Sequence, residues 1–216
     1  GDDLFCWRTE FFAKYPGDEG TDWQHSRHMA IGSGLPPVIA TEPHERYPEI
    51  FLTLAVWTAF TDATIQSGCI QFLRGSHRDL YMDDLKPMSW DSARVNKFLW
   101  NGEKRSLFGY DSSEIEIDTT WRSKGQDVVS VEVRAGQAVI FWEATMHASL
   151  GNTSKSESRV SFVSRYVPTN VRIYPHQDKL SEYGGEVDLK CWSPVLVSGV
   201  DLYNYNQRLS CKGMTD

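Results

Sequence analysis

Two histidines, His25 and His28, stand close together in the polar stretch "GTDWQHSRHMAIGSG", and another, His147, lies far down the chain in "FWEATMHAS". Two imidazoles from distant segments plus one carboxylate make the facial triad that holds non-haem iron(II) and leaves open positions for cosubstrate and oxygen. In such sites the first histidine and the carboxylate share one loop, spaced H-x-D or H-x-E. No register supplies that carboxylate here. Two positions beyond His25 stands Arg27, beyond His28 Ala30, and beyond Gln24 Ser26. On spacing alone, the stretch is either a metal loop stripped of its carboxylate or a solvated polar loop.

His147 follows the apolar run "AVIFWEATM", so it sits just past a buried strand. There a histidine either ligates a metal or hydrogen-bonds to backbone. Downstream, "RVSFVSRYVP" alternates and places Arg159, Ser161, Val163 and Arg165 on one face. A guanidinium pointing into a barrel is costly unless an anion meets it. A dicarboxylate cosubstrate would supply that anion through a bidentate pair. On an edge strand the same arginines would be surface charges.

Strands must position these groups, because strand signals dominate the chain. "LFCWRTEFFA" is aromatic-rich and ends at the Pro16-Gly17 turn. "FLTLAVWTAF" (51–60) is a mostly apolar run, as a strand buried on both faces would be, and "GCIQFLRGS" (68–76) reads as its hairpin partner. "DVVSVEV" (127–133) alternates, then Ala135-Gly136 turns into "QAVIFWEA". Residues 86–106 could hold one short helix within an insertion. An all-β core with minor helices follows, and the favoured form is a double-stranded β-helix (jelly roll, cupin-like), in whose mouth distant polar residues converge. Residues 1–216 read as a single domain. Its first residues already form a core strand, which predicts a missing N-terminal segment, an exposed apolar face prone to aggregation, and an incomplete catalyst.

Composition bounds the function. Hydrophobic residues make up 40% of the 216, and the net charge of −7 argues against a nucleic-acid binder, which needs a basic face. No apolar run approaches the roughly 18 residues of a membrane span, and none reads as a signal peptide. Cys6, Cys69, Cys191 and Cys211 form no CxxC motif and read as thiols in a reducing compartment. A cytoplasmic enzyme without membrane association is the expectation.

The blocks "WRTEFFAKYPGDEGTDW", "VWTAFTDATIQSGCIQFLRGS", "AGQAVIFWEATMHAS", "SRYVP" and "EYGG", in this order, resemble the carrier-protein-dependent aliphatic halogenases of the syringomycin type, within the phytanoyl-CoA dioxygenase superfamily. The similarity runs from Gly1 to about Asn206. It implies Fe(II), 2-oxoglutarate and chloride as cofactors and O2 as co-reactant. The implied reaction chlorinates an unactivated carbon of an aminoacyl substrate, usually tethered to a peptidyl carrier protein. The resemblance assigns a metal-binding role to His147, the grip on 2-oxoglutarate to Arg159, and neighbouring places to Arg165, Trp57 and Thr21. In that family alanine replaces the triad carboxylate and chloride binds in its space.

The chain departs from the pattern at three positions. Gln24 holds the aligned ligand position, with His25 one place later as the expected second imidazole. Ser26 stands at the alanine position and preserves the missing carboxylate. Glu143 replaces a small residue of the halide pocket, where it would repel chloride or itself reach the iron. A hydroxylase with Glu143 as ligand, and a degenerate jelly roll that binds a ligand or carrier protein without turnover, are the alternatives.

Overall fold

The computed structural model describes residues 2–24, 28–29, 38–39, 41–42, 53–77, 98–100, 103–106, 128–142, 145–175, 177–182 and 185–208. In chain order its strands are β1 (Leu4–Lys14), β2 (Gly20–Gln24), β3 (His28–Met29), β4 (Val38–Ile39), β5 (Thr41–Glu42), β6 (Leu54–Ala59), β7 (Ile70–Leu73), β8 (Phe98–Trp100) and β9 (Glu103–Ser106). They continue as β10 (Val128–Val131), β11 (Ala138–Trp142), β12 (His147–Ser149), β13 (Arg159–Pro168), β14 (Arg172–Ile173), β15 (Lys179–Glu182), β16 (Gly185–Asp188) and β17 (Val195–Ser198). One 3-10 turn, Leu189–Cys191, precedes β17. No helix among the described residues is long and apolar enough to cross a membrane.

Two sheets dominate: a five-stranded one ordered β11-β6-β13-β1-β17 and a six-stranded one ordered β10-β7-β12-β2-β9-β8. Almost every pairing is antiparallel, β2 with β9 being parallel. The architecture is the cupin-like jelly roll that the strand pattern predicts. Sequence neighbours cross between the sheets, and this overturns one expectation: β6 and β7 are not hairpin partners. β6 lies between β11 and β13, and β7 lies between β10 and β12. The turn after β6 carries the chain from one layer to the other.

Burial in β6 also differs from expectation. Ala55, Trp57 and Ala59 are buried while Leu54, Val56 and Thr58 are half-buried, so only one face is inward. The outer face of this sheet stays apolar, with Phe11, Phe60 and Ile140 exposed and Phe11 against Phe162 at 4.8 Å between ring centroids. Of the range 86–106 expected to hold a helix, the described residues form β8 and β9, an antiparallel pair.

A bulge sets the inner face of β1. Its register against β13 shifts between Cys6 and Arg8, leaving Trp7 as the extra residue. The inward positions switch parity there, from Phe5 and Trp7 to Arg8, Glu10 and Lys14. The same strand thus feeds two separate cores. Phe5, Trp7, Val167 and Tyr174 belong to one cluster, which the 3-10 turn covers with Leu189. Trp57, Phe141, Val163 and Cys69 belong to the other, with Phe12 packed against it.

Candidate active site

β12 is short, and its first residue is His147, 8% exposed. Its backbone is paired on one side with Phe72 of β7 and on the other with Gln24 of β2. The ring packs on Phe141 of the opposite sheet at 5.0 Å between centroids. Its Nδ1–H donates to the Thr145 carbonyl oxygen at 2.8 Å. A carbonyl only accepts, so this bond holds the proton on Nδ1 and the lone pair on Nε2. That is the tautomer a metal-ligating histidine needs, with its orientation fixed by the backbone. Core histidine and metal ligand are therefore the same geometry seen from two sides of the ring.

Thr21 sits beside this ladder. Ser149 N–H donates to Thr21 Oγ1 at 2.8 Å, and the two hydroxyls lie 2.9 Å apart. These bonds clamp β2 to β12 next to the register shift between His147 and Ser149.

Arg159 opens β13 and is 3% exposed. Nε donates to the Gly68 carbonyl at 3.2 Å, and Nη1 donates to Ser161 Oγ at 2.9 Å and to the Phe12 carbonyl at 3.5 Å. The guanidinium carbon stands 5.6 Å from the centroid of the Trp57 ring, within cation–π range. No carboxylate among the described residues pairs with it, and Nη2 has no hydrogen bond among them. Burial lowers its pKa to about 10, so it stays charged at neutral pH. A buried guanidinium with its fork half satisfied has the chemistry to receive a carboxylate.

Sequence reasoning missed Lys14. It is the ladder partner of Arg159 across β1 and β13, and it is 6% exposed. Its Nζ donates to the carbonyls of Glu19 at 2.5 Å and Leu150 at 2.7 Å. Among the described residues no carboxylate pairs with it either. The signal was a lysine inside an aromatic strand, masked by the bulge, which moves the inward parity onto even positions.

Arg165 has a different environment. Its Nη1 is paired with Glu10, whose other oxygen receives Arg8 Nη2 at 2.6 Å. Burial works to raise the Glu10 carboxyl, but Arg165 and Arg8 outweigh it and hold it down to about 2. Arg8 Nη1 also donates to the Tyr174 hydroxyl at 3.2 Å. The anion that the sequence demanded for Arg165 is thus one of the chain's own carboxylates. Structure brings Trp57 and Arg159 together, and sets Thr21 and His147 on neighbouring strands of the facing sheet. His25, Ser26 and Glu143 lie outside the described residues.

A family profile described as Phytanoyl-CoA dioxygenase (PhyH) matches residues 1–161. The chain belongs to the phytanoyl-CoA dioxygenase family. Among solved structures, CytC3 with Fe(II) and alpha-ketoglutarate is 34% identical with a TM-score of 0.59, over 95% of this chain and 61% of that one. A second CytC3 structure gives 33% and 0.58, again over 61% of its length. This family member therefore spans about three-fifths of those relatives. A non-heme monooxygenase, the ThoJ–Ni complex, shares the fold at 20% identity and a TM-score of 0.54, over 93% of this chain and 54% of that one. No curated protein sequence matches.

Proposed function

We propose that residues 1–216 form one double-stranded β-helix domain of an Fe(II)/2-oxoglutarate-dependent halogenase. It chlorinates an unactivated carbon of an amino acid carried on a peptidyl carrier protein. The observation that carries this reading is Arg159: a buried charge, unpaired among the described residues, beside Trp57, on the wall facing the strand that presents His147. The iron and cosubstrate that CytC3 holds suit this donor set, an imidazole with its lone pair on Nε2 and a guanidinium open to a carboxylate. When bound, that group supplies the activation of O2.

The chain's own part is to bind and orient. His147 and His25 hold the metal. Arg159, with Trp57 beside it, grips the carboxylate of 2-oxoglutarate, and Thr21 lines the same cosubstrate site from the facing sheet. Ser26, small and uncharged, leaves the triad position to chloride, and Arg165 completes the interior beside Glu10. Glu143 is the observation that favours a second reading: as an iron ligand it would turn the site to hydroxylation.

The test is anaerobic addition of Fe(II) and 2-oxoglutarate, followed by turnover of an aminoacyl carrier protein with and without chloride. A weak visible charge-transfer band and a chloride-dependent chlorinated product by mass are expected. Exclusive hydroxylation that is lost in Glu143→Ala hands the case to the hydroxylase. No 2-oxoglutarate turnover, with the protein shown folded, leaves a non-catalytic jelly roll.

A further inference from the structure

We propose that Lys14 is a positioning residue of the Arg159 anion site: it is the second cation that draws the carboxylate of 2-oxoglutarate inward, and it takes a proton from solvent when that carboxylate arrives. This rests on the reading of Arg159 given above.

The geometry comes first. Lys14 and Arg159 face each other across the β1–β13 ladder. Both line the same backbone wall: Arg159 Nε holds the Gly68 carbonyl, Lys14 Nζ holds the Leu150 carbonyl at 2.7 Å, and a Cβ built on Gly68 would stand 3.0 Å from Lys14 Cδ. Each is buried, and neither has an ion-pair partner among the described residues. Two neighbouring buried cations are stable only if one sheds its proton or an anion joins them.

Lys14 is the one able to shed it. Burial first, and Arg159 second, push its ammonium down to about 7. From the surrounding elements, Asp18 and Glu19 after β1 pull the other way, and Cys69 faces Arg159. Both carbonyl bonds survive the loss of one proton, because a neutral amine still has two N–H donors. The side chain therefore keeps its place in either state, and what changes is its charge. A carboxylate bound at Arg159 favours the charged form, so binding and proton uptake are linked.

Isothermal titration of 2-oxoglutarate into the anaerobic Fe(II)-loaded chain, in buffers of different ionisation enthalpy, counts that proton. Near pH 8.5 the wild type should take up close to one proton, near pH 6 almost none, and the Kd should weaken about thirtyfold between them. Lys14→Arg, charged at both pH values, should bind with neither uptake nor pH dependence. Lys14→Met should bind about tenfold more weakly near pH 6 and also lose the uptake. Wild-type binding without uptake near pH 8.5, or uptake that persists in Lys14→Arg, overturns the Lys14 proposal and leaves Arg159 as the receptor. A folded wild type that binds no 2-oxoglutarate at any pH overturns both.

Discussion

Arg159 and Arg165 lie on the same inward face of one strand and meet opposite fates. Glu10 reaches Arg165 because the bulge at Trp7 puts both on one side of the ladder. Near Arg159 the β1 residue is Lys14, which repels instead of pairing. The difference predicts different mutants. Arg159→Ala should weaken 2-oxoglutarate binding on the order of 2–5 kcal/mol, because a charge-assisted buried pair is lost. Titration followed by the visible band checks it. Arg165→Ala should cost mainly fold stability, about 3–5 kcal/mol, since it strips a buried carboxylate of a partner. Its signature is a lower urea midpoint measured without any ligand.

At the element scale, the segment before β7 and the end of β12 hold the Arg159 wall in place. Gly68 has φ +90, and a Cβ there would come within 2.7 Å of the Leu150 carbonyl oxygen. Its own carbonyl is the Arg159 Nε acceptor. Gly68→Ala should therefore destabilise by roughly 1–3 kcal/mol and also weaken 2-oxoglutarate binding, an effect seen by comparing denaturation with ligand titration. The metal loop is a second case. Gln24 is the last residue of β2 and the ladder partner of His147, while His28 opens β3, paired with β4 in a separate two-stranded ribbon. His25, adjacent to the β2 end, is the imidazole we assign to the metal. His25→Ala should abolish metal binding and His28→Ala should retain it, as read by metal titration; the opposite pattern reverses the choice.

Across the whole molecule, two apolar clusters lie at either end of the β1–β13 pair, and Arg8, Glu10 and Arg165 form a charged belt between them. The belt makes global stability pH-dependent. The folded Glu10 carboxyl titrates near 2, below its ordinary value of 4.5. Stability from this group is fully present above that ordinary value and is lost as pH falls toward 2. The loss should be on the order of 3 kcal/mol. Glu10→Gln should flatten this acid limb and lower stability at neutral pH, which urea unfolding at a series of pH values would reveal.

The sequence alone determined the strands β1, β6, β7, β10, β11 and β13, the inward alternation of "RVSFVSRYVP", the jelly-roll class and the interest of His147 and Arg159, but not β8 and β9, whose stretch reads as helical. These features rest on local period-two patterning and on the chemistry of single residue types, both of which are written in the chain. Only the tertiary structure decided which sheet receives β6 and β7, because ladder partners are chosen by contacts distant in sequence. It alone showed that Arg165 is paired with Glu10 and that Lys14 shares the Arg159 wall. Both depend on one extra residue at Trp7, a bulge that shifts the inward parity and that no local pattern announces.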